Sequence, residues 1–218
     1  MKIVGFPVDI SRAQDPRLVR YWRVRQTLLQ TALDLIQAGD DQPTASAITA
    51  MSGVSRDDLL RVFPNLDDLY AAVLDVVIGR TVERSGTADP RAPLPSRIEL
   101  LVSDRAQLFQ EWQPVWLFAH RVGQLSPLVG GRVERLRQML RDRLVDWFAA
   151  ELRPLDSMGR AVVLDSLDAA FGLDSWLTLR RQRRLSTPQA ARTWRFAAQS
   201  VALQSLAASP SAALSANP

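Results

Sequence analysis

The sequence of 218 residues predicts an all-α protein of about nine helices, with a small N-terminal three-helix unit followed by a larger helical body. Apolar residues recur at three- and four-residue spacing along almost the whole chain, and no segment shows the strict alternation of a half-buried strand. Apolar residues make up 47% and charged residues 23%, a composition typical of a folded chain rather than a disordered one. Clusters of glycine and proline separate the periodic segments.

Thr44, Gly53 and Ser55 predict where the short helices of the N-terminal unit begin and end. The hydroxyls of Thr44 and Ser55 can accept a hydrogen bond from the free amides of a helix N-terminus, so both residues are predicted N-caps. Gly53 lies between them and can adopt the positive φ of a tight turn. The predicted helices of the whole chain span residues 17–38, 44–51, 55–63, 67–83, 98–112, 114–124, 133–148, 157–184 and 188–206.

Proline and glycine define the predicted breaks between the remaining helices. Four such residues predict a loop over 85–97, and Pro127 with Gly130-Gly131 predicts an interruption between two helices. Pro154 ends the next helix, after which residues 157–184 are predicted to form one long helix. The predicted domains are residues 1–66 with a basic arm, residues 67–208 and, as a disordered tail, residues 209–218.

The charged residues are unevenly distributed along the chain. There are 27 lysine and arginine residues and 23 aspartate and glutamate residues, which gives a formal net charge of +4. Residues 12–25 carry five arginines against one aspartate, whereas residues 26–68 carry two arginines against seven aspartates. Arginine can donate two parallel hydrogen bonds to a phosphate group. The sequence therefore predicts a basic arm that contacts phosphates, with a solvated basic face as the alternative.

The residue content argues against most catalytic and metal chemistry. The chain has no cysteine and one histidine, which excludes disulfides, thiolate or multi-histidine metal sites and a cysteine nucleophile. Asp165 and Asp168 have i, i+3 spacing, but no further group completes a catalytic set, so we predict neither an enzyme nor a cofactor. No stretch reaches about 18 apolar residues and the start does not resemble a secretion signal, so we expect a cytoplasmic protein that does not enter a membrane.

Residues 44–63 have the form of a helix-turn-helix, in which two short helices flank a glycine turn and a longer helix precedes them. In this motif the second helix enters the major groove of DNA while the first crosses the phosphate backbone. An ordinary helical hairpin is the alternative. The residues predicted to form the apolar seam are Ile48, Met51, Val54, Leu59, Leu60 and Phe63.

Two parts of the chain carry a family resemblance. The first part reads Ile48-Thr49-Ala50-Met51-Ser52-Gly53-Val54-Ser55, continues with Leu59, Leu60, Phe63 and Leu69, and follows a helix with Arg25, Leu28, Leu29, Ala32, Leu35 and Ile36. The second part comprises Ser175-Trp176, Leu179-Arg180-Arg181-Gln182, Leu185-Ser186 and Gln189-Ala190. Together they resemble the TetR family of transcriptional regulators, at its N-terminal domain and at the junction of its last two helices.

The resemblance implies an all-helical homodimer that regulates transcription, most simply as a repressor. Its first three helices would bind double-stranded operator DNA, and its larger C-terminal domain would enclose a pocket for a small apolar effector. Its last two helices would form a four-helix interface with the partner subunit. Binding of the effector would change the separation of the two DNA-binding heads and lower the affinity for the operator.

The predicted recognition helix departs from the family pattern. Leu60, Val62 and Leu66 stand where polar side chains are usual. Asp57 and Asp58 place two carboxylates where phosphates and bases are expected, although one carboxylate could accept a hydrogen bond from cytosine N4. Two hypotheses follow. The chain is either a ligand-responsive DNA-binding regulator, or a TetR-fold homodimer that has lost operator binding and acts through a protein or small-molecule partner.

The predicted site residues form three groups. The residues predicted to contact DNA are Arg17, Arg20, Arg23, Arg25, Thr44, Ser55, Arg56, Asp57 and Arg61. The residues predicted to line the ligand pocket are Phe109, Trp112, Trp116, His120, Trp147, Phe171 and Trp176. The residues predicted at the dimer interface are Leu177, Trp194, Ala197, Ala198 and Val201. A packed core is the alternative for each aromatic residue, since large apolar side chains fill cores more often than pockets.

Overall fold

Helices account for every regular element in the part of the chain that the structure describes. This part of the computed structural model comprises residues 15–84, 86, 89 and 91–207, with side chains described as far as residue 204. It contains no strand, which confirms the predicted all-α class. Arg12 and the predicted tail at 209–218 lie outside the described residues. The helices are α1 (Pro16–Gln37), α2 (Ala45–Ser52), α3 (Arg56–Val62), α4 (Leu66–Arg84), α5 (Leu94–Glu111), α6 (Gln113–Gly123), α7 (Pro127–Trp147), α8 (Ala149–Leu152), α9 (Ser157–Phe171), α10 (Leu173–Leu177), a π-helical segment (Thr178–Gln182) and α11 (Thr187–Ala207).

The chain divides into two compact units. The first unit comprises residues 1–84 and 112–136, and the second comprises residues 85–111 and 137–218. The first unit includes α4 as well as the three N-terminal helices, because α4 packs against α1. The predicted functional boundary after residue 66 stays a prediction. None of the described helices combines the length and the apolar character needed to cross a membrane.

In the first unit, α1 packs against α2, α3, α4 and α6. Leu28, Ala32 and Ile36 lie at i, i+4 and i+8 on α1 and are completely or almost completely buried. Ile48 of α2 and Leu59 of α3 are buried in the same unit. Helices of eight and seven residues are too short to be stable alone in water, so α2 and α3 depend on this packing.

In the second unit, the indole ring of Trp194 is the centre of an aromatic core. Ring centroids of Phe109 and Phe171 lie 5.9 and 5.5 Å from that of Trp194 in edge-to-face arrangements. The ring of Trp176 is tilted against it at 4.7 Å. These contacts join α5, α9, α10 and α11, and Trp194 itself is 1% exposed.

Two buried arginines of α5 connect this helix to other helices of the second unit. Arg97 forms an ion pair with Glu151, with 2.6 Å between Nη2 and Oε1. Arg105 donates hydrogen bonds to the backbone carbonyls of Phe171 and Leu140. Burial lowers the pKa of Arg105 to about 10. Both guanidinium groups are thus engaged within the protein, which is the condition under which a buried charge is tolerated.

The predicted interruption at Pro127 and Gly130-Gly131 is wrong, because α7 begins at Pro127 and continues through both glycines. A proline is tolerated in the first turn of a helix, where its missing N–H has no partner to lose. A Cβ atom added to Gly130 would lie 2.8 Å from the carbonyl oxygen of Gly123 in α6. Gly130 therefore permits two backbones to approach closely and does not break the helix.

The predicted long helix over 157–184 is also wrong. The chain leaves the α-helix at Gly172, whose φ of −67° and ψ of 160° are those of extended backbone, and resumes as α10 and the π-helical segment. Beyond the break, Trp176 packs against Trp194. The predicted loop over 85–97 ends earlier than expected, since α5 begins at Leu94 with Pro95 in its first turn.

Candidate nucleic-acid interface

The turn between α2 and α3 has the predicted capping. The Thr44 hydroxyl accepts a hydrogen bond from the Ala47 amide at 3.1 Å, and the Ser55 hydroxyl accepts one from the Asp58 amide at 3.1 Å. Gly53 adopts a φ of +69° and ends α2. The caps at Thr44 and Ser55 and the left-handed turn at Gly53 are therefore confirmed. A DNA contact by either hydroxyl stays a prediction.

One face of α3 is buried and the opposite face is open to solvent. The buried residues include Leu59 and Val62, and Phe63 follows them at the end of the helix. The exposed residues are Arg56, Asp57, Leu60 and Arg61. Leu60 is 46% exposed and Met51 of α2 is 53% exposed, so the prediction that both lie in the apolar seam is wrong. Their side chains lie on the faces of α2 and α3 that the unit leaves uncovered.

Asp58 is neutralised within the first unit. Its carboxylate lies 2.6 Å from Nη1 of Arg61 and 3.7 Å from Nη2 of Arg20, and it accepts a hydrogen bond from the Ser55 hydroxyl. Asp57 is exposed on the solvent face of the same helix. The expectation that both carboxylates are open to solvent therefore holds fully for Asp57, whereas that of Asp58 is half-buried between two arginines. The outward surface of α3 is less acidic than its sequence suggests.

The arginines of α1 take two different positions. Arg17, Arg20 and Arg23 are exposed. Arg25 is half-buried, and its guanidinium carbon lies 4.7 Å from the ring centroid of Phe63, at the end of α3. A guanidinium group at this distance makes a favourable cation–π contact. Arg17, Arg20 and Arg23 thus stay open to solvent, Arg20 while paired with Asp58, whereas Arg25 supports the packing of α3.

The loop between α1 and α2 is held from α4 and α6. The Tyr70 hydroxyl donates a hydrogen bond of 2.7 Å to the Pro43 carbonyl, and its ring packs edge-to-face on Phe118 of α6 at 4.9 Å. Arg121 of α6 forms an ion pair of 2.6 Å with Asp41 and also donates to its backbone carbonyl. Burial, aided by Asp40 and Asp67, raises the pKa of Tyr70 to about 12. No pattern in the sequence singles out Tyr70, whose hydroxyl lies on α4 among buried residues that are almost all apolar.

The residues predicted for the ligand pocket lie mainly in the core. Trp112 and Trp116 are buried and His120 is exposed, and all three belong to the first unit. The other predicted residues, which are buried in the second unit, are Phe109, Trp147, Phe171 and Trp176. The contacts of Phe109, Phe171 and Trp176 with Trp194 are those of a packed core, the alternative stated for these residues. A pocket role for any of the seven stays a prediction.

The residues predicted at a dimer interface also differ in exposure. Trp194 and Ala198 are buried inside the second unit, so their side chains present no surface to another chain. Those that are half-buried are Leu177, Ala197 and Val201. Large apolar side chains that are exposed on the same long helices are Met158 and Val162 of α9 and Phe196 and Leu203 of α11. An interface on these helices would use the exposed positions.

The aspartate pair considered for catalysis is engaged in ion pairs. Asp165 and Asp168 lie 2.6 and 3.8 Å from the guanidinium group of Arg141. Both carboxylates therefore share one cation on the surface of the second unit, which explains their spacing without a reaction. Within the described residues, no group of three or more histidine, aspartate or glutamate side chains is arranged to hold a metal ion.

Comparison with solved structures identifies the fold. A tetR-family transcriptional regulator from Streptomyces coelicolor superposes with a TM-score of 0.67 at 18% identity, over 88% of this chain and 94% of the other. A protein assigned to the TetR family from Syntrophomonas wolfei superposes with a TM-score of 0.59 at 13% identity, over 84% and 96%. No protein-family model matches the sequence, and the search of curated proteins finds no match. The predicted resemblance is thereby confirmed at the level of the fold.

Proposed function

We propose that this chain, which has the fold of TetR-family regulators, is a transcriptional regulator that binds double-stranded DNA as a homodimer and releases it when a small apolar ligand binds. The observation that carries the proposal is the solvent-facing side of α3, a capped helix that presents Arg56, Asp57, Leu60 and Arg61. A helix placed in this way after a glycine turn is the recognition element of a helix-turn-helix. The fold adds support because both neighbours are described as transcriptional regulators rather than as enzymes.

Positioning contacts and base contacts are assigned to different helices. Arg17, Arg20 and Arg23 on the exposed side of α1 suit phosphates, which fix the position of a protein on DNA without reading its sequence. On α3, the exposed Leu60 suits the C5-methyl group of thymine, and Asp57 suits the N4 amino group of cytosine. The recognition surface is therefore expected to prefer sites with thymine and cytosine at the positions that α3 contacts.

The ion pairs of Asp58 support the hypothesis that the protein binds DNA, rather than the alternative that it has lost operator binding. The carboxylate is bound to Arg20 and Arg61, so it does not present a free negative charge to the phosphates. The two guanidinium groups are largely exposed, and such surface pairs contribute only about 0.2–1 kcal/mol. Either arginine can therefore exchange the carboxylate for a DNA phosphate at small cost.

The homodimer is supported by the exposed apolar side chains of the two long C-terminal helices. Phe196 of α11 is 71% exposed and Met158 of α9 is also 71% exposed. Large apolar groups on two helices of one unit can be buried by a second copy through a two-fold axis, in which each subunit uses the same patch. A two-fold dimer would present two α3 helices to half-sites about 34–36 Å apart or a multiple of that distance.

A fragment-selection experiment tests DNA binding. Genomic DNA fragments of the source organism are incubated with the full-length protein at low and at physiological salt, and the retained fragments are sequenced. We expect a common sequence to be enriched by the wild type and by Arg153→Ala, an exposed arginine of the second unit that serves as the charge-matched control. The double variant Arg56→Ala, Leu60→Ala should lose the enrichment, because both side chains belong to the proposed base-reading face.

A second candidate function is a homodimer of the same fold that acts through a protein or small-molecule partner. It is favoured by the acidity of the segment from 44 to 68, which contains four aspartates and two arginines. Retention of fragments at no more than a non-specific background, even at low salt, would favour this candidate and contradict the first, since phosphate contacts are strongest at low salt.

A further inference from the structure

A groove between α5 and the N-terminal half of α11 forms a cavity of about 500 Å³ that is open to solvent, in the second unit. This volume lies within the range of about 300–1,000 Å³ that is typical of small-molecule sites. None of the seven residues that the sequence predicted for a ligand pocket lines it. The residues that line it are Glu99, Val102, Ser103, Ala106, Gln107, Gln110, Glu111, Thr187, Pro188, Ala191 and Arg195.

The groove has an apolar floor. Val102 and Ala106 of α5 are almost completely buried beneath it. On the opposite wall, Thr187, Ala191 and Arg195 follow one another at i, i+4 and i+8 and so share one face of α11. The small side chain of Ala191 between two longer ones leaves room above the floor. The cavity is therefore a consequence of residue sizes on two packed helices.

Polar contacts limit the length of the groove. Near one end, Nε of Arg195 lies 2.5 Å from Oε2 of Glu99. Near the other, Oε1 of Gln110 accepts hydrogen bonds from Nε of Arg180 at 3.0 Å and from the Thr187 hydroxyl at 3.3 Å. Glu99 and Gln110 are separated by 11 residues, roughly 16 Å along the helix. A space of this length fits a compact molecule better than a helix or an extended peptide that would continue beyond both ends.

The charged and polar side chains that line the groove indicate which class of ligand it can bind. The carboxylate of Glu99 is balanced by Arg195, and between the two ends α5 presents the uncharged, exposed side chains of Ser103 and Gln107. The other carboxylate of the lining belongs to Glu111, the last residue of α5, which lies outside this central stretch. A hydroxyl and an amide can each donate and accept a hydrogen bond. We propose that this groove binds a small neutral molecule that is apolar along most of its length and carries one hydrogen-bonding group, which Gln107 meets. The inference rests on the proposed ligand response and assigns it to this groove.

A fluorescence titration tests the site. The probe is N-phenyl-1-naphthylamine, a neutral aromatic amine with one N–H group whose emission rises when it leaves water. We expect saturable binding by the full-length wild type. Ala191→Phe fills the cavity from α11, and Ser103→Phe fills it from α5, so each should weaken binding at least tenfold. Gln107→Leu should weaken binding about threefold through the lost hydrogen bond. Ala150→Phe, the same change at an exposed alanine of α8, should leave binding unchanged.

The outcomes separate the site from the regulator function. Absence of saturable binding by the wild type, or equal affinity in the two phenylalanine variants and the wild type, would overturn the proposed site. Circular dichroism checks folding. If Ala191→Phe does not fold, the affinity of Ser103→Phe for the probe tests the site, because Ser103 is exposed and its substitution leaves the buried core intact. Probe binding is measured without DNA. A failure to retain genomic fragments would therefore contradict the proposed regulator function without contradicting the proposed ligand site.

Discussion

At the scale of single residues, the ion-pair partners of Asp58 determine how much negative charge it presents at the surface of α3. In the sequence it is one of two consecutive carboxylates on a helix proposed to meet DNA. In the folded unit it lies within ion-pair distance of Arg20 and Arg61, and its amide is capped by the Ser55 hydroxyl. The carboxylate therefore holds the guanidinium groups of Arg20 and Arg61 at the surface. It also stabilises α3, because a negative charge in the first turn of a helix interacts favourably with the helix dipole.

Replacing Asp58 tests this role. Asp58→Asn keeps the shape of the side chain, removes one negative charge and releases two arginines, so we expect affinity for a non-specific DNA duplex at low salt to rise by about threefold to tenfold. Fluorescence anisotropy with a labelled duplex measures it. Asp142→Asn, which makes the same charge change at an exposed position of α7, is the control. An equal rise in both variants would show that net charge alone is responsible.

The phenol of Tyr70 links stability to pH. Its pKa is raised from 10.0 to about 12, so the folded protein holds this proton more tightly than the unfolded chain does. The resulting stabilisation is complete below pH 10 and is lost as the pH rises towards 12, by about 2–3 kcal/mol in total. Urea unfolding at several pH values should show this loss in the wild type and not in Tyr70→Phe. Parallel curves for the two proteins would contradict it.

At the scale of elements, glycine has opposite roles in α2 and α4. Gly53 adopts a φ of +69° where α2 ends, and Gly79 lies within α4. An added Cβ atom would meet nothing within 4 Å at either position. The effect of a methyl group at each site is therefore a matter of backbone conformation alone. The left-handed turn is required for α3 to follow α2, whereas α4 loses helix stability by having a glycine.

A matched pair of substitutions measures the two roles. Gly53→Ala should lower the free energy of unfolding by about 1–2 kcal/mol, because a Cβ atom is strained in the left-handed region. Gly79→Ala should raise it by about 0.5–1 kcal/mol, because alanine favours the helix. Denaturant titration followed by circular dichroism gives both values. A change of the same sign at the two positions would refute the backbone argument.

At the scale of the whole molecule, the second unit exposes apolar side chains that its own core does not use. The buried side of α11 contains Trp194 and Ala198, while Phe196 and Leu203 of the same helix are exposed. A helix that is apolar on two faces has a second surface to bury. The proposed homodimer would bury it, and stable interfaces of this kind remove about 1,200–2,000 Å² of surface from water.

A single charge in this patch tests the dimer. Phe196→Asp would place a carboxylate at the proposed interface, and we expect the protein to sediment as a monomer in analytical ultracentrifugation while the wild type sediments as a dimer. Specific DNA retention should fall with it, because one head then contacts one half-site. Leu125→Asp, at a residue of the first unit that is 83% exposed, should leave the mass unchanged. A monomeric wild type would rule out the proposed dimer.

Local features could be predicted from the sequence because their physics is local. The caps at Thr44 and Ser55 and the turn at Gly53 depend on hydrogen bonds and torsions within three or four residues. The continuity of α7 through Gly130 and the break at Gly172 could not be predicted in the same way. A glycine weakens an isolated helix, but at Gly130 its missing side chain lets the backbone of α6 approach, and a sequence does not display that approach.

The sequence by itself determined the all-α class, the order of most helices and the capped turn, since apolar spacing and capping residues act along a single helix. Only the tertiary structure decided which aromatic rings became core, which of two adjacent aspartates was neutralised, and where a cavity opened. The reason is that these properties depend on the rotation of each helix about its axis and on neighbours far away in the chain. Arg20 and Asp58 are 38 residues apart, and the walls of the groove are drawn from α5 and α11.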